Sequence, residues 1–187
     1  LVARGFNQKE GIDYEDTFSP VVTTAAIRLM LTIAGFRKLL VHCLDVKTAF
    51  LAGDIDREIY VEPPAGFEEP DHVWKLRKAL YGLKQAPKCW FEKMNQLFAS
   101  IGFEPLKKER CIFKRRDSDS FTYLLVYVDD ILVFAENEEI MKKVKEQLNG
   151  LFKMHDMGPV GRFLGMDFER SPDKSYFSVS QSQYIEE

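Results

Sequence analysis

Phe121-Thr122-Tyr123-Leu124-Leu125-Val126-Tyr127-Val128-Asp129-Asp130-Ile131-Leu132-Val133-Phe134-Ala135 decides the fold. Two apolar runs, rich in β-branched and aromatic residues, flank a pair of adjacent aspartates. Runs of this length and composition, broken only by a short polar pair, predict a hairpin whose strands are largely buried. A turn that only reverses the chain more usually carries Asn-Gly, Asp-Gly or Gly-Gly, which tolerate positive φ, whereas two like charges at a tight turn repel. A hard, oxygen-seeking cation such as Mg²⁺ would offset that repulsion. The bland alternative is a solvated acidic turn, and the flanking hydrophobicity argues against it.

A third carboxylate strengthens the metal reading. Leu39-Leu40-Val41-His42-Cys43-Leu44-Asp45-Val46 is another apolar run, with Asp45 near its C-terminal end, and it breaks into Lys47-Thr48-Ala49-Phe50-Leu51-Ala52-Gly53. An isolated aspartate after a strand is most often a helix cap or turn former. Two strands that bring carboxylates to one sheet edge instead supply ligands for two ions about 3.5–4 Å apart, the arrangement used for in-line phosphoryl transfer. One ion there activates an attacking hydroxyl and the other holds the triphosphate, while the protein positions groups and screens charge.

Further motifs extend over nearly the whole chain. They are Leu-Val-Ala-Arg-Gly-Phe-Asn-Gln (1–8), Gly-Ile-Asp-Tyr-Glu-Asp-Thr-Phe-Ser-Pro-Val-Val (11–22), Leu-Asp-Val-Lys-Thr-Ala-Phe-Leu (44–51) and Glu-Ile-Tyr-Val (58–61). Leu-Tyr-Gly-Leu-Lys-Gln-Ala-Pro (80–87), Tyr-Val-Asp-Asp-Ile-Leu (127–132) and Phe-Leu-Gly-Met (163–166) complete the set. In this order and spacing they make the chain resemble the reverse transcriptase of copia-type long-terminal-repeat retrotransposons, as a fragment of a Pol polyprotein. A nucleotide cyclase on a similar palm is disfavoured, because residues 80–87 follow the reverse-transcriptase pattern.

The resemblance implies an RNA-directed DNA polymerase that adds deoxynucleotides to a primer 3′-hydroxyl by two-metal phosphoryl transfer. Asp45, Asp129 and Asp130 would be the catalytic, metal-binding triad, holding two Mg²⁺ ions with Mn²⁺ as an alternative. Substrate-binding groups would be Phe50 beneath the incoming sugar, Gln85 along the nucleotide, Arg4, and Tyr127 and Val128 beside the aspartates. Val128 would sit at a hairpin corner with positive φ. Gly165, in Phe163-Leu164-Gly165, would lie near the primer terminus. The residues alone allow plainer readings: Phe50 as core, Gln85 as part of the approach to the helix at Pro87, and Gly165 as a strand bulge. Implied partners are an RNA or DNA template with its primer, deoxynucleoside triphosphates, and the integrase and ribonuclease H domains of a polyprotein.

The chain has 187 residues, 45% of them hydrophobic and 13% aromatic, enough for a packed core and against disorder. No apolar run approaches the ~20 residues that span a bilayer, and the start, Leu1-Val2-Ala3-Arg4, has no signal-peptide pattern. No membrane association is expected. Cys43, Cys89 and Cys111 lack Cys-x-x-Cys spacing, so neither a disulfide framework nor a zinc site is indicated. That favours a reducing, intracellular setting; the resemblance implies cytoplasmic virus-like particles or the nucleus. His42, His72 and His155 are scattered and read as structural or surface groups.

The net charge of −3 is unusual for a nucleic-acid binder, but its distribution is uneven. Residues 75–93 hold Lys75, Arg77, Lys78, Lys84, Lys88 and Lys93 against Glu92 alone. Residues 107–116 hold Lys107, Lys108, Arg110, Lys114, Arg115 and Arg116 against Glu109. Both are candidate phosphate-tracking surfaces, or else solvated faces; the first adjoins Gln85. Residues 54–71 are acidic and should not face a template.

Periodicity predicts a buried helix from Thr23 to about Phe36, short strands at 59–61 and 73–76, and a helix from near Pro87 to Ser100 ended by Gly102. An amphipathic helix over 138–152 follows the hairpin, and strands at 163–169 and 176–179 form a terminal hairpin. The expected class is α+β: a reverse-transcriptase palm, an antiparallel sheet backed by helices in split-βαβ order, with a partial fingers lobe. Residues of about 1–44 and 55–85 would be fingers and the rest palm. The thumb and ribonuclease H would be absent, which leaves a non-catalytic remnant that binds nucleic acid or a protein as the competing reading.

Overall fold

The computed structural model describes residues 1–117 and 120–186. In chain order, a 3₁₀ turn at Gly5–Asn7 precedes α1 (Thr24–Phe36), β1 (Leu40–Val46), α2 (Ala49–Ala52), β2 (Tyr60–Val61), β3 (Trp74–Lys75) and α3 (Ala86–Ser100). Next come β4 (Glu104–Pro105), β5 (Ile112–Asp117), β6 (Ser120–Tyr127), β7 (Asp130–Ala135), α4 (Glu138–Leu151) and β8 (Met154–Pro159). The chain closes with β9 (Arg162–Phe163), β10 (Met166–Arg170), β11 (Phe177–Ser180) and α5 (Ser182–Glu186). Two compact units result: Leu1–Pro20 with Thr48–Ser100, and Val21–Lys47 with Ile101–Glu187.

The second unit is α+β, built on an antiparallel sheet of order β4-β5-β6-β7-β1-β8. Ile131, Leu132, Val133, Phe134 and Ala135 are all fully buried, so β7 is apolar on both faces and lies inside the sheet. β1 slots in beside it, although the hairpin partner in sequence is β6. One sheet face carries His42, whose Nδ1 accepts from Lys145 Nζ of α4 at 2.6 Å. The same ammonium donates to Asp156 of β8 at 2.8 and 2.9 Å, tying α4 to β1 and β8. α4 is capped by Asn137, which accepts from Ile140 N at 2.9 Å, has Glu138 and Glu139 in its first turn, and buries Met141, Val144 and Leu148 along one stripe.

Three expectations need correction. α1 is amphipathic rather than buried all round: Thr23 caps it and Ile27, Met30, Leu31 and Ala34 are buried, but Leu29 and Phe36 are exposed. The 163–169 strand is broken, because Leu164 and Gly165 take φ of 51° and 72° and fold β9 back onto β10 in a two-residue turn. The turn between β6 and β7 is Val128-Asp129 rather than Asp129-Asp130, since Tyr127 pairs with Asp130, the first residue of β7.

In the first unit, α3 buries Cys89, Trp90, Phe91, Met94 and Phe98 at helical spacing. Ile59, Ala79, Leu80, Leu83, Ala86 and Cys89 form a cluster, with Phe50 packed against it. The N-terminal segment docks on the 81–84 loop, Ala3 N donating to Tyr81 O at 2.8 Å. A Cβ on Gly5 would come within 1.9 Å of Gly82 O, and one on Gly82 within 2.1 Å of Ala3 O. Gly82 also holds φ of 98°. Two of the motifs quoted above therefore interlock backbone to backbone, which only glycine permits.

Candidate active site

The sheet register lines up four residues on one face. Tyr127 of β6 stands opposite Asp130 of β7, Asp130 opposite Asp45 of β1, and Asp45 opposite His155 of β8. Directly opposite residues share a face, with Cβ atoms about 4.5–5.5 Å apart, and like charges so placed destabilise a sheet. Asp129 stands one residue away in the exposed turn, and its carbonyl accepts from Val46 N at 2.8 Å, pinning the turn to β1. Val128 holds φ of 55°, as expected. For a β-branched residue that conformation costs on the order of 1–3 kcal/mol, and it fixes the direction in which Asp129 leaves the hairpin.

The electrostatics of this edge are those of crowded anions. Burial pushes the Asp130 carboxyl above its ordinary range, and the charges of Asp129 and Asp45 push it further. The nearby Cys43 thiol is pushed up to about 11 by its burial and by Asp130, Asp45 and Asp156. Among the described residues no group of three or more His, Cys, Asp or Glu side chains is arranged to hold a metal ion. The chemistry of the donors is that of a hard-cation site: Asp45 and Asp130 face each other across the register, and the charges of Asp129 and Asp45 both raise Asp130. Asp45, Asp129 and Asp130 would hold the cation. His155, read from sequence as structural or surface, joins this face only through the register of β8, which no local motif signals.

The remaining expected site residues lie in different settings. Phe50, in α2, is half-buried, with its ring 5.7 Å from that of Tyr81 at 47°. Gln85 is fully buried, its amide bonded on both sides within the protein. Gln8 Nε2 donates to Gln85 Oε1 at 2.9 Å, and Gln85 Nε2 donates to the Asp13 carbonyl at 2.9 Å. Arg4 is exposed and borders a cavity of about 490 Å³ together with Gln8, Asp13, Tyr60 and Trp74. Gly165 is a turn glycine whose added Cβ would meet nothing within 4 Å, so its positive φ is what requires glycine.

Much of the basic stretch is already paired. Lys75 bonds Glu58, Lys78 bonds Asp54, Lys93 bonds Asp54 at 2.8 Å, and Lys88 lies 3.4 Å from Asp16. Lys84 donates to the Tyr14 hydroxyl at 3.3 Å and stands 5.1 Å from that ring's centre. Arg77 is exposed. Asp54 and Glu58, in the acidic 54–71 stretch expected not to face a template, are the partners of three of these lysines. In the second basic stretch Arg115 is structural: it grips Asp117 with two bonds of 3.0 Å, donates to Ile101 O and Gln147 Oε1, and stacks 4.5 Å over Phe103.

The whole chain, residues 1–187, matches the family described as reverse transcriptase (RNA-dependent DNA polymerase). A retrovirus-related Pol polyprotein from transposon TNT 1-94 of Nicotiana tabacum is 43% identical over 190 residues, covering 100% of this chain and 14% of the relative. The corresponding polyprotein from transposon RE1 of Arabidopsis thaliana is 38% identical, covering 99% of this chain and 13% of the relative. The chain thus spans a small part of these relatives. A structure of apo telomerase from Candida tropicalis, truncated from its C-terminal domain, aligns with 12% identity and a TM-score of 0.47, covering 86% of this chain and 40% of that one.

Proposed function

Because this chain belongs to the reverse transcriptase (RNA-dependent DNA polymerase) family, we propose that it is the fingers and palm of a copia-type retrotransposon Pol polyprotein. In this reading it extends a primer 3′-hydroxyl with deoxynucleotides on an RNA or DNA template, alongside integrase and ribonuclease H domains, within an intracellular particle or the nucleus. The observation that carries the reading is the row of facing carboxylates at the end of a buried hairpin, with Asp129 held beside it by the strained Val128.

Asp45, Asp129 and Asp130 would hold two Mg²⁺ ions, for which Mn²⁺ could substitute. Such ions, when bound, supply charge neutralisation for the triphosphate and acidify the attacking hydroxyl. The chain's own part is positioning. The register keeps Asp45 and Asp130 opposed, the Val46 amide fixes the Asp129 carbonyl, and the buried strands behind them exclude water from one side. Phe50, Arg4, Tyr127, Val128 and Gln85 are assigned to the nucleotide, Gly165 to the primer terminus, and Lys75, Arg77, Lys78, Lys84 and Lys88 to nucleic-acid phosphates. The lobe division, with fingers at about 1–44 and 55–85, belongs to the same proposal.

Mg²⁺-dependent primer extension by the full-length protein that carries this chain tests the reading. Asp129→Asn should cut extension by ~10³-fold, about 4 kcal/mol of transition-state stabilisation, without loss of folding. Near-full activity in that variant would sink the assignment.

A further inference from the structure

Gln85 carries an amide whose two ends look alike in shape and differ only in chemistry, so its orientation must come from its neighbours. The neighbours form a chain with a fixed direction. The Lys84 backbone N–H, which can only donate, gives its hydrogen to Gln8 Oε1 at 2.7 Å. Gln8 must therefore turn its NH₂ the other way, and Nε2 donates to Gln85 Oε1 at 2.9 Å. Gln85 Nε2 is left facing the Asp13 carbonyl, which can only accept, at 2.9 Å. A backbone donor at one end and a backbone acceptor at the other orient both side chains. Flipping either amide would set two acceptors or two donors face to face, at a site where Gln85 is fully buried and no water can repair the mismatch.

We propose that Gln8 is a positioning residue, which fixes the amide orientation of Gln85, the side chain assigned above to the incoming nucleotide. This rests on the reading that Gln85 serves the nucleotide. The identity of residue 8 matters in a specific way: it must accept from Lys84 and donate to Gln85 at once, which only an uncharged amide of this length does. Glutamate keeps the size and the Lys84 bond but turns a donor into an acceptor against Gln85 Oε1. Methionine keeps the size and removes both bonds.

The test is a double-mutant cycle on the full-length protein, reading KM for deoxynucleotide, kcat, and primer–template Kd by titration. Gln8→Glu and Gln8→Met should each raise the nucleotide KM by about tenfold, with primer–template Kd within about twofold of the parent. Because Gln8 acts through Gln85, adding Gln8→Met to Gln85→Ala should change KM little beyond Gln85→Ala alone. The Gln8→Glu defect should also shrink as pH falls, since a protonated glutamate regains an O–H donor for Gln85. Should Gln8→Glu fail to fold, the Gln8→Met arm of the cycle decides. A raised KM in Gln85→Ala with a parental KM in Gln8→Met, or additive effects in the double variant, would overturn the positioning role. An unaltered KM in Gln85→Ala would overturn the nucleotide reading of Gln85 itself, and the inference with it.

Discussion

Single residues in this protein are held against their own preferences where the charge gathers. Val128 accepts a left-handed backbone, and Asp130 accepts a half-buried carboxylate facing Asp45. The consequence for Asp130 has a definite sign. Its folded pKa is raised, by burial first and then by Asp129 and Asp45. The folded chain therefore binds this proton more readily than the unfolded chain, and stability falls as pH climbs from the ordinary carboxylate range through the raised value. In metal-free buffer at pH 7, Asp130→Asn should melt a few degrees above the parent, and the gap should close on acidification. Added Mg²⁺ should then raise the melting temperature of the parent more than that of the variant, because a cation relieves what the variant has already removed. A melting scan across pH and Mg²⁺ checks both, and a variant less stable than the parent at pH 7 would refute the repulsion. Phe50 gives a second expectation. An aromatic face can exclude a 2′-hydroxyl by overlap, where a merely apolar pocket discriminates poorly. Phe50→Ala should raise ribonucleotide incorporation relative to deoxynucleotide by ~10-fold, ~1.4 kcal/mol. If Phe50 only packs against Tyr81 and the apolar cluster, both rates should fall together with the melting temperature and the sugar ratio should stay put.

Elements show which parts of the fold local sequence can express. The β6–β7 hairpin, β1, α3 and α4 were legible because their burial follows period 2 or 3.6, or is continuous, as in β7. β5 was not, because Lys114, Arg115 and Arg116 read as a solvated or phosphate-tracking cluster. What makes Arg115 a strand residue is Asp117, Gln147 and Phe103, and the last two are distant in sequence. β8, Met154–Pro159, is largely exposed, and between its pairings with Cys43 and Leu44 one residue, Met157, is bulged out, so no alternation announces it. The same blindness hid Gln8 and His155, whose importance lies in partners supplied by other segments. Asp45, Asp129 and Asp130 stood out in the sequence because charge inside apolar runs is anomalous without any partner. The interlocked glycines are testable at this scale. Gly82→Ala and Gly5→Ala each drive a Cβ into backbone at about 2 Å and should cost ~1–3 kcal/mol or more by chemical denaturation. Gly150→Ala, in the last turns of α4 with nothing within 4 Å of the added carbon, should instead stabilise by ~0.5–1 kcal/mol. Equal effects at the three sites would deny the close approach.

The molecule as a whole is acidic, at −3, and this shapes how it could meet a polyanion. Affinity for phosphates comes largely from released counterions, with a log–log salt slope near −0.9 per neutralised phosphate on duplex. That accounting assumes cations that face only solvent ions. Here Asp54 holds both Lys78 and Lys93, and those two ammonium groups in turn hold its carboxyl at about 2, so the pairs persist at any working pH. A phosphate approaching these lysines must displace a protein carboxylate rather than a mobile ion. Each such lysine should therefore contribute less to the slope than Lys84, whose partner is the uncharged Tyr14 hydroxyl. The sharper consequence is inverted: removing an acid should improve binding. Asp54→Asn frees two cations, so primer–template affinity at low salt should rise severalfold and the slope should steepen by up to ~2 units, independent of base sequence. Lys84→Ala should flatten it by about one. Titrations of the parent and both variants across salt concentrations measure these slopes directly. If Asp54→Asn left affinity and slope unchanged while Lys84→Ala flattened it, the strand would pass Lys84 and miss Lys78 and Lys93. If neither variant moved the slope, the phosphates would lie on another surface altogether.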